Sequence, residues 1–263
     1  MNRDKAFFVF KITLTIISFI IIIFAKYDSL LNCTLVKEIL YDLNIGIFSA
    51  MVLIWFIDEI NKQIEERKNR QKEAEEILRA DRLLRIYMRK YRKFFYCLTT
   101  PVYKRNFEKI RIIRNFSLSD MRDMFKPTGL IEEGAYDSSI ESFVYAEHEL
   151  KTQMEVIIKS IDFLYYPKVQ EELMRFIEAS LKYNRRKIWL RETEIAAGTM
   201  ANDITCTLYG NPDKLYRLYK NGNMPREKDL IYFFMLFEML RSQDGILRNY
   251  AKAIKEVEQD CCN

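Results

Sequence analysis

The chain begins with a run of apolar residues that few water-soluble folds accommodate. Ala6–Ala25 contains twenty residues and one charge, Lys11. A helix of that length covers about 30 Å, the thickness of the hydrocarbon core of a bilayer. A cleaved signal peptide is the alternative, but the run is long for one, and Ile23-Phe24-Ala25 makes a poor small-residue cleavage site. The run therefore predicts a transmembrane helix over about residues 6–25.

A second apolar segment follows, with no charge from Leu43 to Ile57. It is shorter than the ~20 residues of a usual span, so a buried core helix is the alternative. Tyr41 and Trp55 lie near its two ends, as aromatic side chains do at membrane interfaces. We expect a second span over about residues 40–57, which makes residues 1–58 a transmembrane hairpin.

The distribution of Lys and Arg predicts the orientation of this hairpin. Residues 26–42 contain only two of them, whereas five lie within fifteen residues of the second span: Lys62, Arg67, Lys68, Arg70 and Lys72. Because basic residues stay on the cytoplasmic side, both termini should be cytoplasmic and residues 26–42 should face outside.

The remainder of the chain has the composition of a helical domain. Gly and Pro number only 7 and 5, and neither occurs between Asp58 and Leu98. Residues 59–98 predict a long membrane-proximal helix that Thr99-Thr100-Pro101 ends. Residues 99–263 predict a cytoplasmic helical domain. The expected fold class is all-α, with two N-terminal transmembrane helices followed by a cytoplasmic helical bundle.

Local signals divide the cytoplasmic region further. We predict a short basic helix over Pro101–Phe116 and a capping box at Ser117–Asp120. Two helices should follow, one capped by Asp137 or Ser138 and one beginning at Pro167 and running to about Arg186. Residues 192–225 should be the least regular part. The last helix should open at Pro225, have its core at Leu230–Leu240, and kink or divide at Gly245.

Polar and small residues within the apolar segments form two patterns. Lys11, Thr15 and Ser18 share one helix face, and Gly46 and Ala50 form a small-xxx-small pair. The simplest interpretation is that the hydroxyls bond to their own backbone, Lys11 reaches the inner surface, and the small residues let two helices pack. The functional interpretation is a polar stripe that lines a pore when several copies assemble.

Catalytic signatures are absent from the sequence. His148 is the only histidine, so a zinc H-E-x-x-H motif cannot form, and no Arg stands five positions before it, which excludes the R-x4-H pattern of helical HEPN ribonucleases. No Walker A, G-x-G-x-x-G or G-x-S-x-G motif occurs. We therefore expect no enzymatic activity, no cofactor and no metal site.

A strongly basic region follows the hairpin. Between Lys62 and Arg114 there are seventeen Lys and Arg against seven Asp and Glu, a net charge of +10. The basic residues are interleaved with aromatic ones, and another cluster occupies residues 185–191. Anionic lipid headgroups, nucleic acid and an acidic protein are the three partners that such a surface fits. The candidate nucleic-acid or partner surface consists of Arg85, Arg89, Lys90, Arg92, Lys93, Lys104, Arg105, Arg111 and Arg114.

In layout the chain resembles a known class of proteins. Two N-terminal spans, the charged helix that leaves the second one (NIGIFSAMVLIWFIDEINKQIEERK) and a helical domain without catalytic residues are similar to the small two-transmembrane effectors of bacterial antiphage defence, in particular those of retron systems. The resemblance implies a toxin of the bacterial inner membrane that a partner holds inactive, such as a reverse transcriptase–RNA/DNA complex or another defence protein. It implies no functional residues.

We therefore expect an effector that disrupts or permeabilises the inner membrane when its partner releases it, and that is homo-oligomeric when active. The alternative is a non-toxic membrane-tethered scaffold or sensor that recruits a cytoplasmic partner.

Overall fold

The structure is a computed structural model that describes residues 12–21, 23, 34–110, 115–130, 138–197, 207–223 and 228–262. Within these ranges the chain forms α-helices, 3₁₀ turns and connections, and the only β-type pairing is an isolated bridge between Pro127 and Ser138. The expected all-α class is confirmed. By compactness the chain divides into two units, Met1–Arg70 (unit 1) and Gln71–Asn263 (unit 2).

The helices follow the chain in a simple order. A short apolar helix, α1, spans Ile12–Ile21, and a helix of 66 residues, α2, spans Thr34–Thr99. Two 3₁₀ turns, Val102–Lys104 and Leu118–Met121, precede the remaining helices. These are α3 (Ser139–Ser160), α4 (Pro167–Lys182), α5 (Arg186–Ala197), α6 (Pro212–Lys220) and α7 (Lys228–Cys262).

Unit 1 contains the apolar segments. In the described part of the chain, one helix, Tyr41–Thr99 within α2, is long and apolar enough to cross a membrane, and only 11% of its most apolar window is buried. The first predicted span is described only over Ile12–Ile21 and Ile23, so its length is not established. The helix α2 begins at Thr34, and residues 34–42, predicted as part of an external loop, are helical.

The two helices of unit 1 touch through aromatic rings. The centroids of Phe19 and Phe48 lie 6.0 Å apart. Asn44 and Met51, one turn to either side of Phe48 on the same face, are buried. The next part of α2 is uncovered, because all six side chains from Val52 to Ile57 are exposed.

The second part of α2 belongs to unit 2, where one stripe of buried side chains follows a seven-residue repeat. Its buried positions follow alternating steps of three and four residues, which place one side chain per turn on the same stripe. Asp81 is the one charged member of this stripe. The full set is Ala74, Ile77, Asp81, Leu84, Met88, Tyr91, Phe95 and Leu98. The helix ends at Thr99, as the Thr-Thr-Pro sequence predicts.

The other helices enclose this stripe. α4 packs along both α3 and α7, and α5 contacts α3 and α7. Tyr91 stands at the centre, with its ring centroid 5.4 Å from that of Phe143 and 5.8 Å from that of Phe176. The apolar stretch Leu230–Leu240 supplies several fully buried side chains, so its predicted place in the core is confirmed.

Carboxylates and an amide are buried in this core, and each has partners. Glu73 accepts the backbone N–H groups of Leu164, Tyr165 and Tyr166 at 3.1, 2.9 and 3.1 Å, which places a negative charge at the N-terminus of α4. Asp81 accepts the hydroxyl of Tyr250 at 3.0 Å. Burial raises the pKa of Tyr250 far above its usual value, so that hydroxyl remains a donor.

A second polar network lies across the centre of unit 2. The Tyr91 hydroxyl donates to Gln243 Oε1 at 2.8 Å, and Gln243 Nε2 donates to Glu147 Oε1 at 3.1 Å and to Ser180 Oγ at 3.0 Å. Arg186 pairs with the other oxygen of Glu147. One amide thus connects α2, α3, α4 and α7.

Two local predictions, a helix after Pro101 and a division of the last helix, were wrong. The described part of Pro101–Phe116 (residues 101–110 and 115–116) is not an α-helix, because the chain turns after Lys104 and Asn106 donates its N–H to the Tyr96 hydroxyl. Residues 192–225, expected to be the least regular part, contain the second half of α5 and all of α6 within their described portions. The last helix continues through Gly245 without a break.

Other boundaries agree with the sequence. The capping box forms at Ser117, whose N–H donates to Asp120 Oδ2 at 2.8 Å. Ser138 caps α3 by accepting the N–H of Glu141. Pro167 begins α4 as predicted, although α4 ends at Lys182, four residues before the expected Arg186.

We predict that Gln243→Leu lowers the free energy of unfolding of unit 2 by about 2–4 kcal/mol, because it removes the partner of the buried Tyr91 hydroxyl and of Glu147 Oε1. Urea unfolding followed by Trp189 fluorescence in a Trp55→Phe background measures this. The matched control is Gln71→Leu, an exposed position of unit 2, with an expected change below about 0.5 kcal/mol. Equal effects of the two changes would show that the network does not stabilise the fold.

Candidate anion-binding surface

Residues 85–93 of α2 carry a cluster of basic side chains. The buried stripe directs Leu84, Met88 and Tyr91 inward. Arg85, Arg89, Lys90 and Arg92 consequently point outward and are exposed, and Lys93 is half-buried.

Two of these cations form ion pairs with acidic residues of unit 2. Arg85 Nη2 lies 2.9 Å from Glu258 on α7, and its Nε pairs with Asp81. The hydrogen bond and charge of Asp81 raise the pKa of Arg85. Lys90 Nζ lies 2.8 Å from Glu149 on α3. Arg85 thus connects α2 to α7, and we leave it out of the binding surface.

Arg89 and Arg92 differ from these. Both are exposed, and neither has an acidic partner within the described part of the chain. Both line two clefts, one on either side of α2. The first cleft, of about 470 Å³, runs between α2 and α7 and also contains Lys255, Tyr250 and Glu258.

The second cleft is larger, about 970 Å³, and we call it the basic–apolar cleft. Arg89, Lys90, Arg92 and Lys93 form its basic part. The remaining lining residues are mainly apolar: Phe94, Phe107, Ile110, Thr128 and Leu130. Its volume lies within the range of small-molecule sites, and its lining suits a ligand with one anionic and one apolar part.

Arg105 serves a structural purpose that the sequence did not reveal. Its guanidinium donates to the carbonyl oxygens of Cys97, Thr100, Pro127 and Thr128 at 2.7–3.0 Å, and to Ser139 Oγ at 3.1 Å. Burial lowers its pKa. These acceptors include carbonyls at the end of α2, so Arg105 holds the following turn in place. We therefore remove it from the candidate surface.

Asp123 fixes the same region from the other side. It accepts the N–H of Val102 at 2.8 Å and the hydroxyl of Tyr209, and Lys126 Nζ lies 2.9 Å away. Burial opposes ionisation of Asp123, but these hydrogen bonds outweigh it and hold the pKa of the carboxyl below its usual value. Lys104 lies over the ring of Tyr103, 5.5 Å from its centroid.

The other predicted site residues lie either outside the described residues or in unit 1. Arg111, Arg114 and Lys11 lie outside the described residues. In unit 1, Ser18 is only 3% exposed and Thr15 is half-buried, so the predicted polar stripe is partly covered within the unit. Gly46 and Ala50 are exposed, and a Cβ added at Gly46 would meet nothing within 4 Å.

The basic cluster at residues 185–191 is not a continuous surface. Arg186 pairs with the buried Glu147, and Trp189 is buried, where its indole N–H donates to the carbonyl of Tyr232 at 3.0 Å. Alternation of Arg and aromatic residues here reflects α5 packing on α3 and α7. Burial separates this cluster from the one on α2.

The described residues contain no group of His, Cys, Asp and Glu side chains that could hold a metal ion. His148 is exposed on α3, as expected. Cys97 is buried, and burial raises the pKa of its thiol, which makes it a poor nucleophile at neutral pH.

The sequence indicated the basic part of the cleft but not its apolar part. Phe107 and Ile110 belong to the segment predicted as a short basic helix, Leu130 belongs to no predicted element, and only the fold places the three beside the basic residues of α2. Their isolated positions between polar residues gave no periodic signal. No protein-family model, curated protein or solved structure matches this chain.

Replacement of two arginines by lysine separates structural from surface cations. We predict that Arg105→Lys lowers the free energy of unfolding by about 1.5–3 kcal/mol, because one ammonium group cannot reach five acceptors that surround a planar guanidinium. Arg92→Lys, the matched change on the exposed surface, should alter it by less than about 0.5 kcal/mol. Urea unfolding followed by Trp189 fluorescence tests both. A stable Arg105→Lys variant would contradict the structural assignment.

Proposed function

We propose that this chain is a membrane-embedded effector of antiphage defence. In this proposal α1 and the first part of α2 cross the inner membrane, and both termini are cytoplasmic. Unit 2 binds a partner that keeps the protein inactive. Release of the partner lets several copies permeabilise the membrane, which ends the infection by halting the cell.

The observation that carries the membrane proposal is the exposed apolar side of α2. Leu53 and Phe56 are 60% and 67% exposed, and all residues between Val52 and Ile57 are exposed as well. Transfer of six such side chains from water into hydrocarbon is favourable by on the order of 10 kcal/mol. Water-soluble proteins rarely present a continuous apolar surface of this kind.

The charges beyond this segment support the proposed orientation. The residues from Asp58 to Lys72 are exposed, and five of them are Lys or Arg. A basic segment directly after an apolar helix favours retention on the cytoplasmic side. Unit 2, which follows, would then be cytoplasmic.

The proposed partner is anionic. Arg89 and Arg92 are exposed without an acidic partner among the described residues, whereas Arg85 and Lys90 are paired. Exposed cations beside a cleft increase the rate and specificity of binding to an acidic partner. The resemblance to retron effectors makes a reverse transcriptase–RNA/DNA complex or another defence protein the partner to test.

Gly46 and Ala50 support assembly of several copies. The two residues lie on one exposed face of α2, opposite the face that touches α1. Small residues at this spacing let two helices approach closely in a membrane. The proposed active form is therefore a homo-oligomer with contacts at this face.

A non-toxic scaffold or sensor is the second candidate. It is favoured by the partial burial of the polar stripe, because Ser18 and Thr15 are then unavailable to line a pore in this arrangement. A scaffold would be anchored in the same way and would use the same basic surface. Toxicity distinguishes the two candidates.

We predict that induced expression depolarises cells, measured with a membrane-potential dye, and that Gly46→Ile abolishes the effect because the side chain blocks close approach of a second helix. Val52→Phe is the matched control, since it adds bulk on another exposed side of α2. Immunoblots of the membrane fraction verify equal levels.

Co-expression of the neighbouring genes, with and without phage, completes the test. The effector proposal is wrong if cells remain polarised and phage propagate in every condition. A membrane-bound, harmless protein would favour the scaffold.

A further inference from the structure

The geometry points to the basic–apolar cleft as a binding site for one molecule of anionic phospholipid. In this arrangement the headgroup phosphate lies against Arg89 and Arg92, and an acyl chain lies along Phe107, Ile110 and Leu130. This inference assigns Arg89 and Arg92 to a lipid in place of the protein or nucleoprotein partner proposed above, and it requires neither toxicity nor that partner.

The charge of the cleft lining suits a phosphate group. Four cations, Arg89, Lys90, Arg92 and Lys93, belong to little more than one turn of α2 and line the same cleft. Glu149 pairs with Lys90, and the described residues of the lining include no acidic one. Two arginines are thus available for a phosphate, which guanidinium groups bind in a bidentate manner.

The second argument is the apolar part of the lining. Phe107 and Ile110 are 36% and 39% exposed, and Leu130 and Phe94 continue the apolar surface beside them. An inorganic anion would leave these side chains in contact with water. An acyl chain would remove them from it, at about 25 cal/mol per Å² of apolar surface covered.

The third argument concerns the neighbouring surface of α2. Ile86 and Leu83 are exposed and lie on the same face as Lys90, one and two turns before it, respectively. They add exposed apolar surface on the side of α2 that carries Lys90. Aliphatic side chains favour a lipid over a nucleic acid, whose bases stack on aromatic rings.

Native mass spectrometry of the full chain tests the inference. The protein is transferred from detergent micelles that contain equal mole fractions of phosphatidylglycerol or phosphatidylcholine, and retained lipid is counted. We expect several-fold more phosphatidylglycerol than phosphatidylcholine on the wild type. Arg89→Gln with Arg92→Gln should abolish this preference, and Ile110→Ser should reduce retention of phosphatidylglycerol.

The matched control is Lys214→Gln with Arg217→Gln, which removes the same charge from exposed positions of α6 and should keep the preference. Lipid bound around unit 1 is common to all variants and forms the baseline. The effector proposal is tested in cells by depolarisation, so the two can fail separately.

Competition distinguishes the possible occupants. Inorganic phosphate at millimolar concentration should not displace phosphatidylglycerol, and neither should a single-stranded oligonucleotide or an acidic peptide at equal molarity. Displacement by any of these through Arg89 and Arg92 would overturn the inference, as would equal retention of the two lipids or an unchanged preference in the double variant.

Discussion

The helix α2 must satisfy two different environments, and the rest of the structure follows from that requirement. From Val52 to Ile57 its side chains are apolar and exposed, whereas from Ala74 to Leu98 one stripe is buried inside unit 2. A continuous helix satisfies its own backbone hydrogen bonds in water, protein or lipid, so only the side chains have to change. The exposed segment Asp58–Lys72 lies between these two parts and is rich in charge.

Buried polar contacts give unit 2 its specific arrangement. Glu73, Asp81, Glu147 and Gln243 are all buried, and each bonds to groups on a different helix or turn. Such groups destabilise any arrangement that leaves them unpaired, by about 1–3 kcal/mol each. Apolar packing of Tyr91, Phe143 and Phe176 permits several arrangements, and these hydrogen bonds favour one of them.

Hydrophobic periodicity and capping signals predicted the element boundaries that depend on local sequence. Examples are the end of α2 at Thr99 and the capping box at Ser117. These signals failed where a distant residue decides the outcome. The burial of Asp81 and Glu73 could not be predicted, because their partners, Tyr250 and the turn before α4, are far away in sequence. The cleft shows the same limit: its arginines formed a visible cluster, but Arg105 was indistinguishable from them until its five acceptors were located.

The proposed function requires that the apolar part of α2 lies in a bilayer. Extraction of isolated membranes with alkaline carbonate, followed by flotation of the vesicles, tests it most directly. Sodium carbonate removes proteins held by charge alone, including any held by Arg89 and Arg92. We predict that the full chain floats with the lipid after this treatment. Recovery of the folded chain in the carbonate supernatant, without detergent, would contradict the account.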